Sequence, residues 1–532
     1  MRASLLIPFL TAACTCLASA AAECRAQDQE PVLAAAPLVL TAPALARTWR
    51  AVEHFLLPLP GVVGARLGPK IGIAKLAAGR FLSTSIDEAI EALGAKPWTM
   101  LAWPRSGPWR TLLLTTIAEP QRVAVGQLLS KLEGGVILSF ADGVLKLASD
   151  PEVLQHEYEP GVLATGSDPL RAAAALAFHF DLEHQRAFLH ARKDAAWEGL
   201  DGAGRLLVGP LAAWLDRAQS MSGSLEIGSA TNANRVLASI DFAPADAVAG
   251  HPAHALLGPA PAKVAKLPAD GIARLVLSRS LVALFETPER LLREDDAAKF
   301  ASSRSILDAL AVGRSFAKDL IPALGPLALY VLEQSVDAKP QGAAPRPRLT
   351  LPVFVMTAEM RSPAGQKLLE RLFDAIATIS FFERAQQNKP VFERRVEQVD
   401  GFTVRTLAID EWRGPAAPPV EVGLTPTLLF AHGHAILAST KEGALRFAIA
   451  LAARERDLID GDALVVRGAP LARLVGVNRA IVTLGRLFDE GESLVDAQWF
   501  ADALADVAAA IERFEITWRG SRLEIELVRG DR

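Results

Sequence analysis

A fifteen-residue stretch near position 140 recurs near position 430, and this repeat constrains the fold more than any other feature of the chain. Residues 138–152 align with residues 428–442 without a gap, and eight of the fifteen positions are identical. Both copies place two short apolar runs around a glycine, Gly143 or Gly433, which is typical of a β-hairpin. We therefore expect one α+β module used twice, so a polar group found in only one copy is a weaker candidate for shared chemistry.

The other patterns along the chain predict similar elements in the same order in each copy. Alternating strands and helical stripes predict a mainly antiparallel sheet with helices packed on one face. We place the first module at residues 27–248 and the second at residues 272–532. Residues 249–271 between them are rich in Pro, Ala and Gly, which is typical of a linker.

The first 26 residues predict export. Arg2 precedes an apolar run over residues 5–17, and small residues follow, which is the order of a secretory signal peptide. The run is too short and too rich in alanine for a good membrane span. Three positions suit cleavage, after Ala20, Ala22 or Ala26.

The three cysteines of the chain, Cys14, Cys16 and Cys24, all lie in this leader. Cleavage after Ala26 leaves a cysteine-free mature chain, which must be stable without disulfides although an exported protein meets an oxidising compartment. Residues 11–14 match a bacterial lipoprotein box only loosely, because the usual leucine three residues before the cysteine is missing. We expect a periplasmic or extracellular protein, and we favour simple cleavage over lipid anchoring through Cys14.

The composition indicates a globular protein and argues against two classes of partner. Hydrophobic residues make up 51% of the chain and charged residues 22%, with a net charge of −4. An acidic balance argues against nonspecific nucleic-acid binding, which needs clustered basic surface. No later segment offers about 18 uninterrupted apolar residues, so no transmembrane span is predicted. The mean hydropathy of +0.23 fits two large cores, or an apolar groove for a lipid or another protein.

Two histidines are the candidate metal ligands. His432 and His434 flank Gly433, and two imidazoles at this spacing suit a metal ion. The repeat weakens the candidate, because Asp142 and Val144 take their places in the first copy. Zinc sites need three or four ligands, and no third ligand is identifiable nearby. We therefore interpret the pair as part of a hairpin turn.

Other motifs also fail when their neighbours are checked. Ser315 and Lys318 match the S-x-x-K pattern of serine nucleophiles, but the downstream motifs are absent and the flanks predict a plain amphipathic helix. Residues 460–462, Asp-Gly-Asp, lack the further ligands that calcium needs. No catalytic residue and no cofactor is predicted.

Three tryptophans are close enough in sequence to line a ligand groove. Trp98, Trp103 and Trp109 offer large contact areas that stack on sugars or lipids. The alternative, which we favour, is that they cover the rim of a sheet.

Residues 319–325, Asp-Leu-Ile-Pro-Ala-Leu-Gly, resemble the D-L-[LI]-P-x-[LI]-G signature of a bacterial secreted family that carries a domain of unknown function. The resemblance is clearest over Gly271–Val528. The first copy departs from it, because Ile90-Glu91-Ala92-Leu93-Gly94 lacks the aspartate and the proline. The resemblance implies an exported bacterial α+β protein, and it supplies no catalytic residue because the signature is a helix end.

These observations predict an exported, non-enzymatic protein with a structural or protein-binding role. Its partner would be another exported protein. One alternative is a carrier that sequesters a lipid or another apolar small molecule between helices and sheet. Another is a hydrolase whose residues the sequence does not reveal.

Overall fold

The structure is a computed structural model. It describes residues 38–42, 98–103, 110–116, 137–141, 143–148, 151, 176–182, 218–228, 234–244, 261–279, 281–286, 288, 294–311, 313–333, 351–409, 424–452, 456–489, 491 and 493–530.

The described residues confirm an α+β protein with a mostly antiparallel sheet. Contacts divide the chain into two compact units, one built mainly from residues 1–189 and 219–233 and the other mainly from residues 234–532.

The described part of the first unit is a sheet of antiparallel strands. The strands are β1 (Leu38–Ala42), β2 (Trp98–Trp103), β3 (Arg110–Thr116), β4 (Ile137–Ala141), β5 (Val144–Ala148), β6 (Leu176–Asp181) and β7 (Ala218–Ile227). Their order across the sheet is β4-β5-β3-β2-β1-β6-β7. Leu112, Leu114 and Leu145 are fully buried on β3 and β5, so the core of this unit lies against the middle of the sheet.

The second unit holds a longer antiparallel sheet. The strands of this unit are β8 (Arg235–Pro244), β9 (Ala262–Ala265), β10 (Gly271–Leu277), β11 (Leu324–Leu332), β12 (Val353–Met360), β13 (Glu393–Val399), β14 (Phe402–Ala408), β15 (Thr427–Ala431), β16 (His434–Ala438), β17 (Arg456–Ile459), β18 (Asp462–Arg467), β19 (Ile511–Arg519) and β20 (Arg522–Arg529). The order across the long sheet is β13-β14-β15-β16-β12-β11-β10-β18-β19-β20-β8. A separate two-stranded sheet joins β9 to β17.

Helices of the second unit alternate with these strands. The described helices are α1 (Leu281–Glu286), α2 (Glu294–Leu310), α3 (Pro363–Gln386), α4 (Lys441–Ala452), α5 (Gly468–Val477), α6 (Arg479–Asp489) and α7 (Leu494–Ala510). None of them is both long enough and apolar enough to cross a membrane.

The main core of the second unit lies between α4 and the centre of the sheet. The ring of Phe447 on α4 packs against that of Tyr330 on β11, with 4.4 Å between ring centroids. The Tyr330 hydroxyl donates to the carbonyl of Ala265, at 2.8 Å. Burial raises the pKa of Tyr330 far above its ordinary value, so the phenol keeps its proton and this hydrogen bond persists at every physiological pH.

Residues 262–279 and 456–467 are distant in sequence but pair as antiparallel strands. We call this pairing the closing seam. Strand β17 pairs with β9 and β18 with β10. Three arginines reinforce the pairing: Arg274 donates to Asp457 Oδ2 at 2.6 Å, Arg279 pairs with Asp462, and Arg467 donates to the carbonyls of Leu267 and Pro268. The seam therefore fixes β10 at the middle of the sheet.

The structure corrects the predicted linker and one module boundary. Residues 262–265 form β9, with Val264 buried, and β10 begins at Gly271, so the linker prediction is wrong over these residues. Strand β8 was expected in the first module but pairs with β20 of the second unit, from Arg235 opposite Val528 to Asp241 opposite Arg522. Both errors have one cause, since these pairings join residues that are remote in sequence.

The signature around Pro322 is also built differently from the prediction. One continuous amphipathic helix was expected, but α2 ends at Leu310, a π-helical turn covers Phe316–Leu320, and a 3₁₀ turn covers Ile321–Ala323. Strand β11 starts directly afterwards. Gly325 lies in this strand and not at a helix end, and a Cβ added there would lie 2.8 Å from Glu359 Cβ. The glycine is required because two strands approach closely at this point.

Helix α3 is longer than the core that it covers. Ser362 caps its first turn by accepting from the Gly365 N–H at 3.1 Å, and Leu368 and Leu372 are buried against the turn at Leu320. Leu368, Leu369, Leu372, Ile376 and Ile379 follow helical spacing and predict one apolar stripe, but Ile376 and Ile379 are exposed. The periodicity therefore predicts the helix correctly, but it does not predict which apolar side chains are buried.

Both copies of the repeat form hairpins. Ala141 lies opposite Val144 in the first, and Ala431 lies opposite His434 in the second. Gly143 and Gly433 both have positive φ angles, as a tight turn requires. The repeat predicts that Phe140 and Phe430 are buried on the helix-facing side, but both are half-buried. Phe430 nevertheless packs beside Phe373 of α3, on the helix-facing side.

Candidate functional site

The two candidate histidines lie in one hairpin turn but in different surroundings. His432 has a φ of 51° and Gly433 one of 78°, so the two residues form the turn between β15 and β16. His432 is exposed, and its ring meets the edge of Phe402 with centroids 6.1 Å apart. His434 begins β16 and is only 8% exposed. The strand therefore buries one imidazole while the turn leaves the other in solvent.

The tautomer of His434 follows from its hydrogen bond. Its Nδ1 lies 3.0 Å from the His432 carbonyl oxygen, which can only accept, so Nδ1 carries the proton. Burial lowers the pKa of His434. The hydrogen bond to the His432 carbonyl raises this pKa, but by less than burial lowers it. The ring is therefore neutral at pH 7, and Nε2 keeps a lone pair that can accept a hydrogen bond or bind a metal ion.

A pocket of about 400 Å³ opens beside this turn. Residues 430–434 form one wall, and the end of β12 with the first turn of α3 forms the other, including Arg361 and Gln366. The Met360 N–H donates to the Gly433 carbonyl at 2.8 Å and holds the walls together. The lining is mixed polar and apolar, which suits a small polar ligand better than a lipid.

The described residues around this pocket do not complete a metal site. Among them, no group of three His, Cys, Asp or Glu side chains is placed to hold a metal ion. Glu359, the cross-strand partner of His434, is the nearest carboxylate by register. Together with His434 it gives two ligands at most, whereas zinc needs three or four.

We expect the burial of His434 to make stability sensitive to acid. The unfolded imidazole titrates near pH 6.5, and the folded one has a lowered pKa, so below about pH 6.5 the unfolded state binds more protons. The unfolding free energy of the wild type should therefore fall as the pH drops from about 7.5 to about 5.5. In His434→Val, which copies the residue at Val144, this part of the fall should be absent in urea titrations.

The exposed histidine provides the control for that experiment. His432→Asn removes the neighbouring imidazole and keeps a residue that tolerates a positive φ, so it should retain the wild-type pH profile. Equal pH profiles for wild type and His434→Val would show that His434 does not carry the effect.

The S-x-x-K match is a helix cap. The Ser315 hydroxyl accepts from the backbone N–H of Lys318 at 3.3 Å and donates to Asp308 Oδ1, also at 3.3 Å. The Ser315 N–H donates to Asp319 Oδ2 at 2.7 Å. Lys318 thus bonds to the serine hydroxyl through its backbone N–H. The ammonium group of Lys318 is exposed and is not the partner of the hydroxyl. The geometry is that of a capped turn and not of an activated nucleophile.

The Asp-Gly-Asp sequence at residues 460–462 is a structural turn. Asp462 Oδ1 accepts from the Ser278 N–H at 2.9 Å, and Oδ2 accepts from Arg279 Nε at 2.6 Å. Asp460, which lies between β17 and β18, is exposed. Because the buried carboxylate is already neutralised by arginine, it is not available to a calcium ion.

The predicted tryptophan groove falls largely outside the described residues. Trp98 and Trp103 are the first and last residues of β2, and neither side chain is described. Trp109 lies wholly outside the described residues, as do Cys14, Cys16 and Cys24. The groove remains a prediction.

Helix α6 presents a further surface, because the side of the helix that contacts α7 carries polar residues. Arg479 pairs with Asp502 of α7, with Nη2 and Oδ2 2.7 Å apart, and the Arg486 guanidinium lies 4.4 Å from the Phe500 ring centroid. Thr483, on the same side, is buried.

The opposite side of α6 is apolar and faces solvent. Ile481 is 40% exposed, Leu484 49% and Phe488 77%. With Gly485 they form what we call the α6 face. Leu494 and Val495, in the first turn of α7, are also exposed. The i, i+3, i+7 spacing was legible in the sequence, but periodicity alone does not say which side of a helix is covered.

Comparison of the chain with protein-family models, with curated proteins and with solved structures found no match. Function is therefore inferred from the geometry of the described residues.

Proposed function

We propose that this chain is an exported, non-enzymatic protein that binds another protein through the α6 face. The observation that carries the proposal is the packing of α6 on α7, in which Thr483 is buried, Arg479 and Arg486 contact Asp502 and Phe500, and three large apolar side chains face solvent. Exposed apolar patches on soluble domains mark interaction sites, since leaving them in water is unfavourable by about 25 cal/mol per Å².

Contacts with α7 accompany this orientation. Rolling the helix to bury Phe488 would separate Arg479 from Asp502 and Arg486 from Phe500, and it would move the buried Thr483 towards solvent. The apolar side therefore faces solvent while the opposite side contacts α7. A surface of this kind is covered in function by a partner.

Export is part of the proposal and is supported by the leader pattern of residues 1–26. The absence of a complete catalytic constellation among the described side chains supports a binding role over the hydrolase alternative. The described pocket beside His434 has a mixed lining, and it gives the lipid-carrier alternative no support.

We further propose that the chain contains two copies of one module. Support comes from the strand orders, since β4-β5-β3-β2-β1-β6-β7 in the first unit corresponds to β15-β16-β12-β11-β10-β18-β19 in the second. The repeated hairpin occupies the same place in both orders. Within the described residues, the β13–β14 hairpin at Asp400-Gly401 has no counterpart in the first unit.

Photo-crosslinking tests the binding role. With p-benzoylphenylalanine in place of Phe488, irradiation of cells of the native host should join the chain to a polypeptide, because the partner covers this position. A matched control carries the same group in place of Ile449, a 58% exposed apolar residue on α4, and should crosslink far less. Leu484→Glu should abolish the product at position 488 without changing the circular dichroism spectrum. Equal yields at the two positions would refute the proposal.

A further inference from the structure

We infer that the pocket beside the His434 turn binds a small hydroxy acid, with the ligand carboxylate at Arg361 and the ligand hydroxyl donating to Nε2 of His434. The inference goes beyond the proposed function, because neither residue belongs to the α6 face. It is drawn from an open hydrogen-bond acceptor, an unpaired cation and an apolar wall that line one pocket.

The buried histidine offers the pocket one hydrogen-bond acceptor. His434 lines the pocket although it is only 8% exposed. Its Nδ1 donates to the His432 carbonyl at 3.0 Å. Its Nε2 has no hydrogen-bond partner among the described residues, and it is not sealed off from solvent. Because buried polar groups are nearly always hydrogen-bonded, this lone pair is suited to a donor on a ligand, such as a hydroxyl group.

Arg361 brings a positive charge to the same pocket. Its backbone is fixed directly after β12, where its N–H donates to the Ala323 carbonyl at 2.8 Å, and its side chain is exposed. Within the described part of the chain, no carboxylate pairs with its guanidinium. A guanidinium binds a carboxylate through two parallel hydrogen bonds. One guanidinium balances one negative charge, which favours a carboxylate over the more highly charged phosphate monoester.

The charges around His434 favour an anion as well. Arg456 lowers the pKa of His434 by more than Glu359 raises it, and His432 acts in the same direction as Arg456. Glu359 is the cross-strand neighbour of His434, but its Oε2 would lie 3.0 Å from a Cβ on Gly325. The carboxylate thus leans towards β11, on the other side of β12 from His434. The field at the imidazole is therefore positive.

Apolar side chains supply much of the remaining wall of the pocket. They belong to Met360, Pro363, Phe430 and Ala431. The volume of about 400 Å³ lies within the range of small-molecule sites. An acid that carries a hydroxyl group and one apolar substituent, such as 3-phenyllactate, therefore matches the acceptor, the cation and the apolar wall together.

Isothermal titration calorimetry of the full-length chain at pH 7.5 tests the inference with two acids. Racemic 3-phenyllactate and 3-phenylpropionate differ only in the hydroxyl group, so the hydroxy acid should bind about tenfold more tightly. Arg361→Gln should weaken the binding of 3-phenyllactate by at least about tenfold. The matched control Arg371→Gln removes an exposed arginine of α3 that does not line the pocket, and it should bind as the wild type does.

Three outcomes of the titrations would overturn the inference. The first is that neither acid binds, and the second is that the wild type binds both acids equally. The third is that inorganic phosphate binds more tightly than 3-phenyllactate, since the site would then be one for phosphate. His434→Val removes the acceptor and should bind the two acids with equal, weak affinity.

Chemical modification locates the ligand without any substitution. Diethyl pyrocarbonate acylates imidazole nitrogens that hold a lone pair, so mass spectrometry should find the group on His434 of the wild type. Saturating 3-phenyllactate should suppress this modification and leave the exposed His179 of β6 equally reactive. A His434 that is unreactive, or that the acid does not protect, would refute the site. Either result would leave the α6 face untouched, because crosslinking at position 488 tests that face separately.

Discussion

Asp462→Ala should lower the unfolding free energy of the second unit by about 3–5 kcal/mol, the cost of removing one partner from a buried ion pair. The carboxylate is only 11% exposed and the Arg279 guanidinium 8%. Without the carboxylate, the Arg279 side chain and the N–H of Ser278 each lose the hydrogen bond that Asp462 accepts. Urea denaturation followed by circular dichroism would measure the loss.

Two further variants show whether the cost comes from the pair. Asp460→Ala removes an exposed carboxylate from the same turn and should change stability by less than about 0.5 kcal/mol. Replacing both partners, as Arg279→Met with Asp462→Leu, removes both charges of the pair and should recover much of the loss. An Asp462→Ala variant no less stable than Asp460→Ala would contradict the assigned role.

Gly468→Ala should be destabilising by about 3 kcal/mol, at the upper end of the range for overpacking. A Cβ at this position would lie 1.9 Å from the carbonyl oxygen of Ile511 and 2.1 Å from that of Ala508. Both obstructing atoms belong to the backbone where α7 becomes β19, so no side-chain rotation relieves the contact. Differential scanning calorimetry would detect the lowered Tm.

The same helix provides the opposite control. Gly476 is near the end of α5, and a Cβ there meets no atom within 4 Å. Gly476→Ala should therefore stabilise the protein by up to about 1 kcal/mol through helix propensity. If both alanines raised the Tm, the close approach of the backbone at Gly468 would be wrong.

Local turn chemistry made several hairpins predictable from sequence. Asp400-Gly401 and His432-Gly433 both have positive φ angles at their two residues, which is what a two-residue hairpin turn requires. Short apolar runs flank His432-Gly433 on both sides, so strand and turn signals agree there. The mainly antiparallel character of the sheet followed from these elements alone.

Residues 306–324 show where the sequence was insufficient. Their apolar spacing favoured one helix, but Asp308 accepts from the N–H of Phe316 and from the Ser315 hydroxyl, which starts a new turn. Pro322 then tightens the chain into a 3₁₀ turn before β11. Side chains that bond to nearby backbone compete with a regular helix, and hydrophobic periodicity does not register that competition.

The candidate site was predictable in part for a related reason. The repeat placed His432 and His434 in a turn, but it did not reveal that β16 buries one ring and that the start of α3 lies opposite. The α6 face was legible as a stripe, yet its outward orientation depends on Asp502 and Phe500 of α7. Periodicity identifies the sides of a helix, and only the tertiary partners decide which side is covered.

The closing seam has a consequence for how the chain matures on the ribosome. Strand β10 emerges early and can pair with β11 soon afterwards, but its other edge waits for β18, and β9 waits for β17. Throughout that interval the nascent chain carries an unpaired strand edge, which is a template for aggregation. Nascent chains that stop before residue 456 should therefore bind chaperones that recognise open strand edges, and release from those chaperones should coincide with synthesis of residues 456–467.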